Sequence, residues 1–204
     1  MEKSNFALFD MVYTRISHDM AGQVGSLSNG TSLLQESIED KPFRDEAIKL
    51  INLSATIISS RLSFFRALCG RPGPLNNDRE MKILGDAYLS SLRTGNYAVH
   101  ARTSGDCYNL PLLKLALALC LIGGDILIKG GLVDIYFKEN SIACSLQGAV
   151  LNVGQDFLQA LRGETDKLTP KNCFCAYLFY LAKENDFLIK SSITEKEMTF
   201  LINK

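Results

Sequence analysis

The chain has 204 residues, enough for one medium domain or two small ones, and an apolar fraction of 47% suits a packed core and excludes a disordered chain. Its 22 basic and 22 acidic residues cancel to a formal charge of +0, which argues against a nucleic-acid binder, a class that carries a basic excess. The opening MEKSNFALFD lacks the basic start, long apolar run and cleavage site of a signal peptide, so a soluble, cytoplasmic protein is expected.

In chain order, residues 4 to 70 read as two long helices. The first runs from about Ser4 to Ile38. Glu39-Asp40-Lys41-Pro42 is a turn, and because proline suits the first turn of a helix the second starts near Pro42 and continues to Cys69. The cluster Gly70-Arg71-Pro72-Gly73-Pro74 is the best domain boundary in the chain. A helical-hairpin domain over 1–72 and a second domain over 76–204 are therefore expected. In the second helix Ile48, Ile51, Ala55, Ile58, Leu62, Phe65 and Cys69 follow a heptad seam, and Leu50, Ile57 and Phe64 form a second stripe. One partner helix covers one stripe. The other needs either a second copy of the chain or the chain's own C-terminal half. A second copy would make a four-helix bundle, with Ile51, Ile58, Leu62 and Phe65 at the dimer interface.

Beyond Asn76 the pattern alternates. Helices are expected over Asp78–Thr94, Leu110–Ile128, Gly154–Arg162 and Pro170–Asn185. Strands are expected over Tyr97–Arg102, Leu132–Phe137, Ser141–Leu146, Phe187–Ile193 and Glu197–Ile202. Helices grouped on one face of a mixed or antiparallel sheet account for this order. Leu110–Ile128 is the most apolar stretch, but Lys114, Asp125 and the Gly123-Gly124 break make it a buried helix rather than a membrane span. The six cysteines (69, 107, 120, 144, 173 and 175) show no metal-type pairing, so structural thiols in a reducing compartment, and no metal site, are expected.

There are two histidines. His100 lies in a strand, YAVHART, with no nucleophile or ligand pattern nearby, and reads as structural. His18 lies two residues from both Ile16 and Met20 on the apolar side of helix one, about 200° from each, and so points to solvent. Its same-face neighbours include Thr14, Arg15, Gly22 and Gly25. A helical glycine costs about 1 kcal/mol relative to alanine. Two beside one exposed histidine make room for another protein's backbone, unless His18 is simply a solvated residue on a poorly optimised helix. The chemistry suits a phosphoryl carrier. Neutral imidazole can attack an aspartyl phosphate, hold the phosphoryl group as a phosphoramidate and release it to another aspartate.

The segment RISHDMAGQVGSLSNGTSLL (Arg15 to Leu34) resembles the phosphoacceptor helix of the ChpT family of histidine phosphotransferases. That family shows a His-Asp pair, a glycine, and an Asn-Gly before a leucine pair, here His18-Asp19, Gly25, Asn29-Gly30 and Leu33-Leu34. SSRLSFFRALCG (Ser59 to Gly70), LPLLKLALALCLIGGDIL (Leu110 to Leu127) and LTPKNCFCAYLFYLAKE (Leu168 to Glu184) resemble later segments in the same order. The resemblance implies a dimerising hairpin followed by a degenerate version of the histidine-kinase ATP-binding α/β sandwich, of the Bergerat or GHKL type. It implies His18 as phosphoacceptor and Asp19 as the adjacent supporting acid, with Thr14, Arg15, Gly22, Gly25 and Asn29 meeting a partner. The implied partners are the receiver domain of a CckA-like hybrid kinase and CtrA-like and CpdR-like response regulators in a cell-cycle phosphorelay. Mg²⁺ would come from the receiver. One departure is that Gly22 and Gln23 stand where sensor kinases carry Thr or Asn and then often Pro.

An ATP-binding domain of this class needs asparagines on its nucleotide-facing helix, an Asp-x-Gly-x-Gly loop and a glycine-rich lid. The corresponding helix, Leu112 to Ile122, has no asparagine, and no Asp-x-Gly-x-Gly occurs in the chain. No ATP binding is therefore expected. The competing expectations are a divergent autophosphorylating sensor kinase and a scaffold that docks receivers without carrying phosphate.

Overall fold

The computed structural model describes residues 2–36, 39–70, 75–92, 94–104 and 109–204, with side chains from residue 6 onward. The expected first-helix end at Ile38, the core of the boundary cluster (71–74), and Cys107 lie outside these residues. Helices α1 (Glu2–Glu36) and α2 (Lys41–Cys69) form the hairpin. The Asp40 carboxylate caps α2 by accepting from the Phe43 amide at 3.5 Å, with Pro42 in the first turn. The two helices approach closely at Gly30, where an added Cβ would lie 2.9 Å from Ile51 Cγ1. Small size at that point lets α2 seat on α1.

The two stripes of α2 divide differently from the heptad expectation. The inward face is Ala47, Ser54, Ile57, Arg61, Phe64 and Leu68, all buried within this one chain. Phe64 of the second stripe stacks on Tyr88 of α3 (Asp78–Leu92) at 4.1 Å between centroids. So the chain's own C-terminal half covers the Phe64 end of the second stripe, and the heptad seam is left outside: Ile48 and Leu62 are 41% and 54% exposed, and Ile51 and Ile58 are half-buried. Phe65 is the exception. At 5% exposure it packs edge-on to Phe64 and Tyr88 and beside Phe174, so it belongs to the core of this chain and not to an outer interface.

After α3 come β1 (Asn96–Thr103), α4 (Leu110–Ile126), β2 (Gly130–Lys138), β3 (Ser141–Gln147), α5 (Gln155–Ala160), α6 (Cys173–Glu184), β4 (Leu188–Ile193) and β5 (Glu197–Asn203). The five strands form one mixed sheet in the order β1-β2-β3-β5-β4, with β1 parallel to β2 and the other pairs antiparallel. Alternation along the strands sends Val99, Val133, Ile135, Phe137, Ile142, Cys144, Leu146, Met198, Phe200 and Ile202 to a face covered by helices. A helix that is apolar all round has to be buried. Accordingly α4 lies at the centre, packed on α3, α6, β2 and β3, with the Asn109 side chain capping its start at the Leu112 amide, 2.9 Å away. The chain is thus a helical hairpin joined to a helix-and-sheet layer, an α+β arrangement. Element ends among the described residues moved by at most three residues. For example, α4 stops at Ile126 because Leu127 turns out of the helix and Gly130 N–H bonds back to its carbonyl.

The β1–β2 start needs two glycines. Gly130 has φ +85°, and a Cβ on Gly95 would fall 2.3 Å from Gly130 N. That neighbour is backbone and cannot swing away. Gly95→Ala is expected to lower stability by about 1–3 kcal/mol, the usual range for overpacking. Thermal or urea unfolding checks this, and an unchanged midpoint would refute it.

Candidate functional site

His18 stands on the outer face of α1 with its side chain 86% exposed. Gly22 and Gly25, one and two turns on, have no described residue within 4 Å of where a Cβ would be. Thr14 and Asn29 are exposed as well. Thr14, His18, Gly22 and Gly25 therefore form one smooth strip. Asn29 lies on the same helix about 16 Å further along the axis, too far for it to touch a group reacting at His18.

Asp19 differs from its neighbour. Its side chain is only 14% exposed. Its Oδ1 lies 3.8 Å from His18 Nδ1, and its Oδ2 accepts from Arg15 Nε at 2.9 Å. Arg15, expected on the docking strip, is corrected by the structure: it is buried and faces inward. Its Nη2 donates to Asp125 Oδ1 at 2.6 Å, and its Nη1 donates to Asp125 Oδ2 at 3.3 Å and to the Pro170 carbonyl at 3.0 Å. The physical reason is reach. A residue three positions before His18 sits about 60° around the helix, and the long arginine stem carries the guanidinium under the helix to meet a carboxylate at the end of α4.

A second arginine completes the arrangement. Arg61, on the inward face of α2, donates from Nη1 to the Asp19 carbonyl, from Nε to Ser91 Oγ at 3.1 Å and from Nη2 to the Ser91 carbonyl at 3.0 Å. Asp19 is thus held at its carboxylate and at its backbone, by arginines anchored in α4 and α3. The Tyr88 hydroxyl is buried nearby with no hydrogen-bond partner among the described residues, and burial raises its pKa. Burial pushes the Asp125 carboxyl up to about 6, against the pull of Arg15. Burial also opposes the charge on Arg15, but Asp125 outweighs it and raises the guanidinium above its ordinary value.

Sequence reasoning missed Asp125, Arg61 and Ser91. A signal for Arg61 existed: with Ala47, Ser54 and Leu68 it repeats every seven residues along the inward face of α2, and an arginine there requires a buried acceptor. His100 is exposed on β1, next in register to Asp134 on the sheet face away from the helices. The five described cysteines are free; four of them are buried, and burial raises the pKa of each of those four, Cys173 to about 12, so none of the four is a reactive thiolate near neutral pH, while Cys69 is exposed. No helix is long and apolar enough to cross a membrane, and no metal-holding group of His, Cys, Asp and Glu occurs, among the described residues.

The family model for the histidine phosphotransferase C-terminal domain matches residues 92–197, half of the chain. The chain belongs to the histidine phosphotransferase family. Among curated proteins, this phosphotransferase is 26% identical over 199 residues to the protein phosphotransferase ChpT of Brucella abortus (strain 2308), covering 93% of this chain and 92% of that one. Among solved structures, a bacterial phosphotransferase determined at 1.7 Å aligns over 96% of this chain and 95% of its own, with a TM-score of 0.77 and 23% identity, a likeness of fold. The histidine kinase AdeS of Acinetobacter baumannii aligns with a TM-score of 0.45 and 9% identity, too remote for argument.

The clamp around Asp19 has a measurable consequence for stability. Arg15→Met leaves Asp125 buried without its cation, and because a carboxyl at about 6 can take up a proton, the expected cost near pH 7 is about 1–2 kcal/mol. The sign with pH follows from the carboxyl. A folded-state pKa raised above the ordinary value near 4 gives stability that is lost as pH rises through the folded value. That value is about 6 in the parent and higher once Arg15 is gone. The gap between parent and variant should therefore be widest above pH 7 and shrink as pH falls towards 6. Unfolding curves at several pH values test this; a gap that does not vary with pH would refute it.

Proposed function

We propose that this histidine phosphotransferase carries the phosphoryl group on His18, receiving it from the aspartyl phosphate of one receiver domain and passing it to the aspartate of another. The observation that carries the reading is the pairing of an 86%-exposed His18 with a neighbouring carboxylate fixed in place, on a strip of helix where Gly22 and Gly25 leave open space. A receiver brings its own acidic pocket and Mg²⁺, so the carrier has only to present a ring nitrogen and a smooth approach. By the resemblance of its motifs, the donor would be a CckA-like hybrid kinase and the acceptors CtrA-like and CpdR-like regulators. Asp19 supports the imidazole, and Thr14, Gly22 and Gly25 meet the receiver; Asn29 would touch it only at the edge of the footprint.

By the resemblance of its motifs, the second domain would be a kinase-type ATP-binding sandwich that has lost its chemistry. The face of α4 bearing Leu115, Ala118, Leu119 and Ile122 is at most 1% exposed. A buried apolar face offers a triphosphate neither space nor donors, which supports a phosphotransferase that takes no ATP. The test is direct. A phosphorylated receiver should label the chain on one acid-labile site, His18→Ala should abolish the label and His100→Ala should not, while labelled Mg-ATP alone should leave the chain unlabelled. Labelling from ATP would favour an autokinase, and a label surviving His18→Ala would overturn the assignment.

The dimer reading rests on the outer seam of α2. Ile48 and Leu62 there are large apolar side chains left exposed, with Ile51 and Ile58 half-buried between them. A second hairpin laid against them would complete a four-helix bundle. Light scattering should give a dimer for the parent, and Leu62→Asp should shift it to monomer while the fold of each chain persists. A parent that stays monomeric at micromolar concentration would refute the dimer.

A further inference from the structure

We propose that Arg15 and Asp125 are positioning residues for phosphoryl transfer, acting on His18 through Asp19; the proposal rests on His18 being the phosphoacceptor. The carboxylate of a residue beside an exposed histidine would ordinarily turn out to water. Here it does not. Arg15 holds Oδ2 at 2.9 Å, which leaves Oδ1 facing His18 Nδ1 at 3.8 Å, a gap that a small rotation of the exposed ring closes to a hydrogen bond. Arg15 is in turn fixed by both oxygens of Asp125 and by the Pro170 carbonyl, groups that belong to the second domain. Arg61, fixed by Ser91, holds the Asp19 carbonyl and stops the local backbone from shifting. An ion pair meant only to join the hairpin to the sheet layer could lie anywhere along α1. This one ends on the residue next to the phosphoacceptor.

The chemistry that follows is specific. With its proton on Nδ1 directed at Asp19 Oδ1, the neutral ring presents the Nε2 lone pair outward. Nε2 attacks the phosphorus of the receiver's aspartyl phosphate. The N–P bond forms as the acyl O–P bond breaks, and the electron pair of that bond leaves with the receiver's carboxylate. The ring gains a positive charge, and the Asp19 carboxylate meets it across Nδ1–H. Transfer to the next aspartate runs the same steps in reverse. Arg15 sets where that carboxylate stands, and Asp125 sets where Arg15 stands, so the second domain fixes the orientation of a ring it does not touch.

The experiment uses the full chain and a phosphorylated receiver domain, with single-turnover labelling followed over a range of receiver concentrations. Arg15→Met with Asp125→Leu removes the buried charges together and replaces them with apolar groups, which keeps the packing. Its maximal transfer rate should fall about tenfold or more, in the range that misplacing a reacting group costs, with the half-saturating receiver concentration unchanged. Adding Asp19→Asn to that variant should slow transfer by less than about twofold further, because the two changes remove one function. Asp125→Asn should act in the same direction and decides the matter if the double variant does not fold. A parental maximal rate, a change confined to the half-saturating concentration, or losses that multiply with Asp19→Asn would each overturn the proposal. His18→Ala runs alongside: a label that survives there sinks the phosphoacceptor assignment itself, a failure separate from that of Arg15.

Discussion

The arrangement depends on one buried ion pair. Arg15 on the first helix and Asp125 at the end of the central helix meet at 2.6 Å, away from water. Burying two charges costs several kcal/mol per ion before their attraction is counted, so such a pair persists only where geometry and further hydrogen bonds compensate. Here the guanidinium finds two carboxylates and a carbonyl. Arg61 makes a second polar crossing through Ser91. Around them Phe64, Phe65, Tyr88 and Phe174 supply the apolar contact that excludes water. The hairpin and the sheet layer therefore share a core.

That shared core bears on how the surface by His18 works. The strip formed by Thr14, His18, Gly22 and Gly25 is exposed and small, yet it stands on a helix clamped from beneath. A docking partner meets a rigid platform, and little ordering entropy is lost on contact. Behind the strip Arg15 bonds to Asp19 and Asp125, and Arg61 bonds to the Asp19 carbonyl and Ser91, while the His18 ring faces out.

The central helix explains the division of labour between the halves. Its residues from Leu112 to Ile122, apart from Lys114, are buried, and its glycines admit neighbours closely: a Cβ on Gly123 would come 2.8 Å from Val133, and one on Gly124 would come 2.6 Å from Leu92. A helix wrapped this tightly serves as a beam. It carries Asp125 near its far end, where that carboxylate meets Arg15 of the hairpin.

Much of this was legible in the sequence because it depends on local rules. Helix and strand positions follow from hydrophobic period, the α2 start from Asp40 and Pro42, and the burial of α4 from its lack of a polar face. The exposure of His18 follows from counting 100° per residue against Ile16 and Met20. What the sequence could not decide is which long side chains bend inward and which apolar stripe its own chain covers. Arg15 lies within reach of both the docking strip and the helix underside, and only Asp125, 110 positions away, determines its direction. Likewise the two stripes of α2 are equivalent by period, and only the packing of Tyr88 and Phe174 assigns Phe64 and Phe65 to the inside and leaves Leu62 uncovered by its own chain. Periodicity is set by the helix itself, while the choice between faces is set by partners far along the chain.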